Sequence, residues 1–168
     1  MSWGKSARMT TAPPPPRFRE TRRSLPIALL RARETVMTPI RAMLSESPLN
    51  EQKWRVLRVI DEGGPMEQTA IARAACLLLP SLTRILQTLE AEGLLVRSSH
   101  PEDRRKTTVA LTDAGREMIG QYADRSRAIL DRLEEEFGAE KLNRLLDLLD
   151  ELQALDLTPN ADHKPQDF

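Results

Sequence analysis

The sequence has few of the features that mark secreted, membrane-bound or catalytic proteins. One cysteine, Cys76, occurs among 168 residues, so no disulfide can form within the chain. No apolar run is long enough to span a membrane. Residues 1 to 23 are basic and proline-rich and lack the apolar stretch of a secretory signal. We therefore predict a cytoplasmic protein without a membrane segment.

Residues that commonly perform catalysis or hold a cofactor are also scarce. The two histidines, His100 and His163, fall in a loop and in a polar C-terminal tail. Neither has a Cys, His or Glu nearby at the spacing of metal ligands. A glycine-rich phosphate loop is absent as well. We predict no catalytic residue, metal or cofactor, and hence a function other than that of an enzyme.

The formal net charge is zero, but the charges are unevenly placed. Residues 1 to 41 hold nine Arg or Lys against two Glu, whereas residues 112 to 168 hold seven against fourteen acids. This gradient indicates an anionic partner that meets one face of the protein. The four consecutive prolines from Pro13 to Pro16 favour a disordered or extended arm over residues 1 to 23. That arm is either a solvated tail or a DNA contact; residues 157–168 form a second tail.

Apolar periodicity predicts four helices in the first part of the chain. They cover residues 25–44 with a kink at Pro39, about 50–60 with Trp54 and Leu57 buried, 67–75 with Ala70, Ile71 and Ala74 inward, and the part of the segment 77–93 that begins at Pro80. Pro80 at the start and Gly93 after the end delimit the fourth helix. Cys76, where the third helix ends, is interpreted as a small core residue, with a redox sensor as the alternative.

The fourth helix has one apolar face and one polar face. Leu82, Ile85, Leu86 and Leu89 recur at helical spacing and form the predicted buried face. The outward face is polar, small and almost free of acids, as expected of a helix that enters the major groove of DNA. We predict that it contacts DNA through Pro80, Ser81, Thr83, Arg84, Gln87 and Thr88.

Two short strands follow the fourth helix. "LLVRS", with Leu94 and Val96 inward, and "KTTVAL", with Val109 and Leu111 inward, are joined by Ser99 to Lys106. Such a hairpin forms a wing, and its tip would reach phosphates or the minor groove through Arg104, Arg105 and Lys106. A charged turn can also be no more than a solvated loop.

Two long helices complete the predicted fold. One begins after Thr112 and runs to about Phe137; the other runs from about Glu140 and contains seven leucines by Leu155. So many leucines on a terminal helix indicate burial against a second subunit. The fold class is therefore mainly α with a small β-hairpin wing (α+β): a winged helix-turn-helix with a helical dimerisation region.

Residues 82 to 115, "LTRILQTLEAEGLLVRSSHPEDRRKTTVALTDAG", resemble the signature of the MarR family of winged-helix repressors. The specific part is Asp-x-Arg in the wing followed by "LTDAG". Three further segments, "SLPIALLRARE", "EQKWRVLRVIDE" and "ACLLLPSLTRIL", resemble the subgroup that regulates homoprotocatechuate degradation. The resemblance covers residues 24–156. It implies a homodimer built by residues 24–45 and 112–156, with residues 50–111 binding a pseudo-palindromic operator in double-stranded DNA.

The resemblance also implies roles for individual residues. Arg84 would pair with Asp103 and brace the wing, while Arg105 would contact DNA. An aromatic acid or its thioester would bind between the dimerisation helices and the DNA-binding part and release the operator, so that aromatic catabolism genes are expressed. Candidate effector residues are Arg31, Arg33, Trp54, Arg55 and Arg58, although Trp54 also suits a core position and the arginines suit any surface. The alternatives are a redox or stress sensor acting through Cys76 and a ligandless architectural DNA-binding protein.

Overall fold

A computed structural model describes residues 21–99 and 107–157 of the chain. Residues 21–23 form a short 3₁₀ turn. Within the described residues six helices and three strands follow. The helices are α1 (Leu25–Leu44), α2 (Glu51–Gly63), α3 (Gln68–Ala74), α4 (Leu79–Ala91), α5 (Asp113–Phe137) and α6 (Ala139–Gln153). The strands are β1 (Met66–Glu67), β2 (Leu95–Ser99) and β3 (Thr107–Leu111). This confirms the predicted class, mainly helical with a small antiparallel sheet.

Contacts divide the chain into one unit up to Met37 and a second unit from Thr38 onward. Within the described part of the first unit, α1 exposes Leu25, Leu29 and Leu30. The core of the second unit is centred on α2, α3, α4 and β3, and buried residues of α1, β2 and α5 add to it. Its largest fully buried side chains are Val56, Leu57, Ile60, Ile71, Leu82, Leu86, Leu89 and Val109. The predicted apolar faces of α2 and α4 are thus confirmed as core.

The ends of α2, α4 and α5 follow from local chemistry that the sequence shows. Asn50 precedes α2, and its side chain accepts a hydrogen bond from the Lys53 amide at 2.9 Å. Thr112 does the same for α5, where it accepts from the Gly115 amide at 3.0 Å. Gly93 follows α4 with a backbone φ of +72°, a conformation that residues with a Cβ rarely adopt. Each cap satisfies backbone groups that a helix end leaves without partners.

The sheet has the order β1-β3-β2 and differs from the prediction in two respects. The strand β1, whose Met66 pairs with Val109, was not predicted. Val96 is exposed, because β2 pairs Leu95 with Leu111 and so turns Leu95 inward. Leu94 is buried as predicted, but it precedes the strand: its amide donates to the Leu89 carbonyl, and its own carbonyl accepts from Thr112.

The predicted interior of α3 also needs correction. Ile71 is buried as expected, yet Ala74 is exposed and Ala72 and Ala75 are buried instead. Cys76 is exposed and has φ of +49°, so its interpretation as a core residue is wrong. The chain leaves α3 in a left-handed conformation at Cys76, which turns the thiol away from the core.

No single helix within residues 21–99 and 107–157 is long and apolar enough to cross a membrane. The helices α3 and α4 satisfy the length and composition criteria only as a pair bent by 109°. Their apolar side chains Ile71, Leu82, Leu86 and Leu89 lie in the protein core.

Candidate nucleic-acid interface

The helices α3 and α4 are joined by a turn whose backbone is fixed from two directions. The Leu77 amide donates to the Ala72 carbonyl at 2.9 Å, which closes the end of α3. From α2, Arg55 Nη1 donates to the Ala75 carbonyl at 3.0 Å. A short turn between two helices that share one core is a helix-turn-helix, with α4 in the position of the recognition helix.

Polar side chains tie α4 to three neighbouring elements. Gln68 of α3 donates to the Thr83 hydroxyl at 2.5 Å. Lys53 of α2 pairs with Glu92, just after α4, at 2.5 Å. Arg97 of β2 places Nε 3.0 Å from a carboxylate oxygen of Glu90. Because the leucines below are fully buried as well, these ties fix the direction in which the outer face of α4 points.

The outward face of α4 is as predicted, with one qualification. Pro80, Ser81, Arg84, Gln87 and Thr88 are exposed. Thr83 is only half-buried, and its hydroxyl also donates to the Leu79 carbonyl at 2.9 Å. That hydroxyl is already engaged by Gln68, so its capacity to read a base edge is limited. The first turn of α4 holds no acid, which leaves its positive helix end unopposed by a carboxylate.

The described part of the wing is a regular two-stranded ladder. β2 and β3 pair from Leu95 and Leu111 out to Ser99 and Thr107, and the hydroxyls of Ser98 and Thr108 lie 3.0 Å apart. The wing tip, which carries Asp103, Arg104, Arg105 and Lys106, lies outside the described residues. Its contact with DNA and the Arg84–Asp103 brace therefore stay predictions.

The ion pair between Arg97 and Glu90 is a link from the wing to α4 that sequence reasoning missed. Arg97 pairs with Val109 across the ladder and so lies on the inner face of the sheet. A charged residue at an inward position of a strand is a detectable signal, since it needs a partner there. The predicted alternation placed Val96 inward and therefore Arg97 outward, where a charged residue needs no partner.

Among the candidate effector residues, Trp54 is buried and has one aromatic and one cationic neighbour. Its ring lies edge-on to Tyr122 of α5, with centroids 6.1 Å apart at 75°. The guanidinium of Arg58 lies 5.9 Å from the same ring. Sequence reasoning did not single out Tyr122, although it is the only tyrosine in the chain. Two aromatic rings and a cation together suit an aromatic anion.

Arg55 has a different environment, because its guanidinium is already used within the protein. It pairs with Glu51 at 3.1 Å in addition to holding the Ala75 carbonyl. The second carboxylate oxygen of Glu51 pairs with Arg41 of α1 at 3.2 Å. A continuous polar chain thus runs from α1 through α2 to the turn before α4.

The two remaining candidates, Arg31 and Arg33, are exposed on the first half of α1. Arg33 pairs with Glu34 at 3.1 Å, and the Arg31 carbonyl accepts from the Thr35 hydroxyl at 3.2 Å.

Elsewhere, a surface depression of about 360 Å³ is lined by Asp131, Glu134, Glu135 and Ala139. Three carboxylates there would repel an aromatic acid. No group of three or more His, Cys, Asp or Glu is placed to hold a metal within the described ranges 21–99 and 107–157.

A helix-turn-helix followed by an antiparallel hairpin defines the winged-helix class of DNA-binding proteins. The family model described as "MarR family" matches residues 49–107. The homoprotocatechuate degradative operon repressor of Escherichia coli is 38% identical over 132 residues, which cover 79% of this chain and 89% of the repressor. This chain belongs to the MarR family.

Two solved structures extend the likeness to the fold. NadR in complex with 4-hydroxyphenylacetate superposes with a TM-score of 0.74 and 34% identity, covering 86% of this chain and 100% of NadR. The transcriptional repressor CouR bound to a 23-mer DNA duplex gives 0.65 and 30%, covering 77% and 92%. The predicted family, its winged-helix fold and its non-enzymatic nature are thereby confirmed: the chain is a DNA-binding transcriptional regulator.

Proposed function

We propose that this protein is a repressor of genes for the catabolism of aromatic, phenolic acids, released from its operator when such an acid or its thioester binds. The observation that carries the proposal is the anchored outward face of α4, whose first turn holds no acid and which precedes the wing. Support for the repressor role and the effector class comes from a relative named for homoprotocatechuate degradation and from NadR with its bound 4-hydroxyphenylacetate. We also propose that the protein acts in the cytoplasm, where a bacterial operator would be bound.

In this proposal, residues 50–111 form the DNA-binding part of a winged-helix domain that extends over residues 24–156. The exposed side chains of α4 enter the major groove, where Arg84 and Gln87 are long enough to reach base edges. Arg104, Arg105 and Lys106 neutralise phosphates or enter the minor groove beside it. The tails at residues 1–23 and 157–168 lie outside this domain.

The homodimer is proposed from apolar surface that this chain leaves uncovered. No residue of α6 is buried, and Leu145, Leu146 and Leu148 are all exposed. Leu25, Leu29 and Leu30 of α1 are exposed in the same way. Leucines in such number are typical of subunit interfaces rather than of a monomer surface. A twofold dimer then recognises a pseudo-palindrome, with its two α4 helices about one DNA turn apart.

The effector is proposed to bind beside Trp54, where Tyr122 and Arg58 supply an aromatic wall and a cation. Arg31 and Arg33 stay candidates for its carboxylate. Arg55 acts instead as a link, because its guanidinium connects Glu51 to the turn before α4. A ligand that shifts α2 would therefore move the recognition helix and change the distance between the DNA-binding parts of the two subunits.

The proposal is tested by titrating a selected operator duplex with the protein, with and without 4-hydroxyphenylacetate. We expect the acid to weaken binding. Arg105→Ala should weaken binding and reduce the slope of log affinity against log salt by about 0.9 per subunit, the value for one phosphate. Arg127→Ala, which removes an exposed arginine of α5, is the matched control and should change neither quantity. An unchanged slope for Arg105→Ala would remove the wing from DNA binding.

A redox or stress sensor is a second candidate, favoured by the exposure of Cys76 in the turn before α4. If it is correct, peroxide should release the operator from the wild-type protein but not from Cys76→Ser. Unchanged binding and unchanged release by phenolic acids after thiol alkylation would exclude this function. A ligandless architectural protein, the third possibility, would show no thermal shift with any phenolic acid. Binding at 100 times the dissociation constant should stabilise the protein by about 2.7 kcal/mol.

A further inference from the structure

Five consecutive apolar residues, Cys76 to Pro80, lead into the recognition helix, and none of them is buried. Leu78 is 78% exposed and Leu79 is 45% exposed, while Leu77 is half-buried. An uninterrupted exposed apolar run is unfavourable in water unless another surface covers it. The run therefore indicates a contact.

Hydrogen bonds hold the main chain of this run in place. The Cys76 amide donates to the Arg73 carbonyl at 3.2 Å, and the Leu78 carbonyl accepts from the Leu82 amide at 3.0 Å. Leu78 is the residue that precedes α4, and its side chain makes no capping hydrogen bond. Polar residues are strongly preferred at that position because they satisfy the free amides of the first turn. A leucine there forgoes this stabilisation, so its side chain serves another purpose.

We propose that Leu78 and Leu79 contact the 5-methyl groups of thymines in the major groove of the operator. The inference rests on the proposed DNA-binding function and adds a specificity determinant to it. The apolar run ends at the start of α4, next to Pro80 and Ser81 of the outward face, so it lies beside residues proposed to enter the groove. The thymine methyl is the one apolar group that the major groove presents, and apolar side chains recognise it. The basic residues Arg73 and Arg84 flank the run in sequence, as suits a polyanionic partner such as DNA rather than a cationic one.

The test uses the full-length protein and an operator selected from a random duplex library. Each thymine of the bound half-sites is replaced in turn by deoxyuracil, which removes only the methyl group. We expect one thymine per half-site at which this replacement weakens binding about fourfold, as for burial of one methyl-sized group. In Leu78→Ala combined with Leu79→Ala, the same replacement should change affinity less than twofold. Such non-additivity assigns the methyl contact to these side chains.

Leu157→Ala is the control, because Leu157 is as exposed as Leu78 and lies after α6. It should keep the full deoxyuracil effect. Thermal unfolding of all variants should match the wild type, since every substituted side chain is exposed. If the wild type binds the operator and deoxyuracil has no effect anywhere, or has the same effect in the double variant, the thymine contact is wrong while the regulator function stands. Absence of any sequence-selective duplex would instead overturn the function itself.

Discussion

Gly115 occupies a position where no other residue fits. It is the third residue of α5, and its amide donates to the Thr112 hydroxyl that caps the helix. A Cβ at this position would overlap the Leu94 carbonyl oxygen and crowd a methyl group of Leu111. That carbonyl is itself bonded to the Thr112 amide, so it cannot move without breaking the junction between β2, β3 and α5.

We therefore predict that Gly115→Ala lowers the free energy of unfolding by about 2 kcal/mol or more, because backbone must shift to admit one methyl group. Chemical denaturation monitored by circular dichroism measures this change. Gly120→Ala in the same helix is the matched control, since nothing lies within 4 Å of the added Cβ. It should leave stability unchanged or raise it by up to about 1 kcal/mol, through the higher helix propensity of alanine. Equal effects of the two substitutions would refute this account of Gly115.

The elements differ in how far the sequence alone predicts them. α4 is predicted well because its limits and its buried face depend on Pro80, Gly93 and leucines within one short segment. β1 was not predicted, because its two residues become a strand only by pairing with Val109 and Thr108, about 40 positions along the chain. The exposure of Cys76 was missed because it follows from one left-handed backbone angle at a residue that normally avoids it.

The site was predictable to the same degree. The outward residues of α4 follow from helical periodicity, so the candidate DNA contacts were available from sequence. The side chains that anchor α4 were not, because Lys53, Gln68 and Arg97 reach it from three other elements. For the effector residues, residue type suggested Arg55, but only the structure shows its guanidinium engaged by Glu51 and the Ala75 carbonyl.

A series of polar contacts connects α1 to the turn before α4: Arg41 pairs with Glu51, Glu51 pairs with Arg55, and Arg55 donates to the Ala75 carbonyl. Glu51→Gln keeps the shape of the side chain but removes the charge that holds both arginines. Because the buried leucines of α4 are untouched, we expect operator affinity without effector to stay within about threefold. We expect the weakening caused by 4-hydroxyphenylacetate to fall by about 0.5–2 kcal/mol, the usual range for residues that couple two sites. Operator titrations with and without the acid give both values.

Glu62→Gln is the control for this experiment, since Glu62 is an exposed carboxylate near the other end of α2. It should respond to the effector as the wild type does. If Glu51→Gln shows full release, coupling does not pass through these contacts. If it no longer binds DNA at all, the contacts are needed to build the fold and carry no signal.

At the scale of the whole molecule, the proposed homodimer depends on α6, because this helix exposes leucines that a second subunit would cover. We predict that Leu148→Glu, which puts a charge on the exposed leucine surface of α6, dissociates the dimer, as measured by light scattering. It should also lower affinity for an operator with two half-sites about 100-fold or more, because a monomer lacks the second, tethered DNA-binding part. Asn143→Glu adds the same carboxylate to an exposed position of α6 outside the leucine surface and should change neither property.

In the wild type, the melting temperature should rise with protein concentration, as for any assembly that stabilises the folded chain. A wild type that is monomeric at all concentrations, or a Leu148→Glu variant that remains dimeric with full affinity, would show that α6 does not join the subunits.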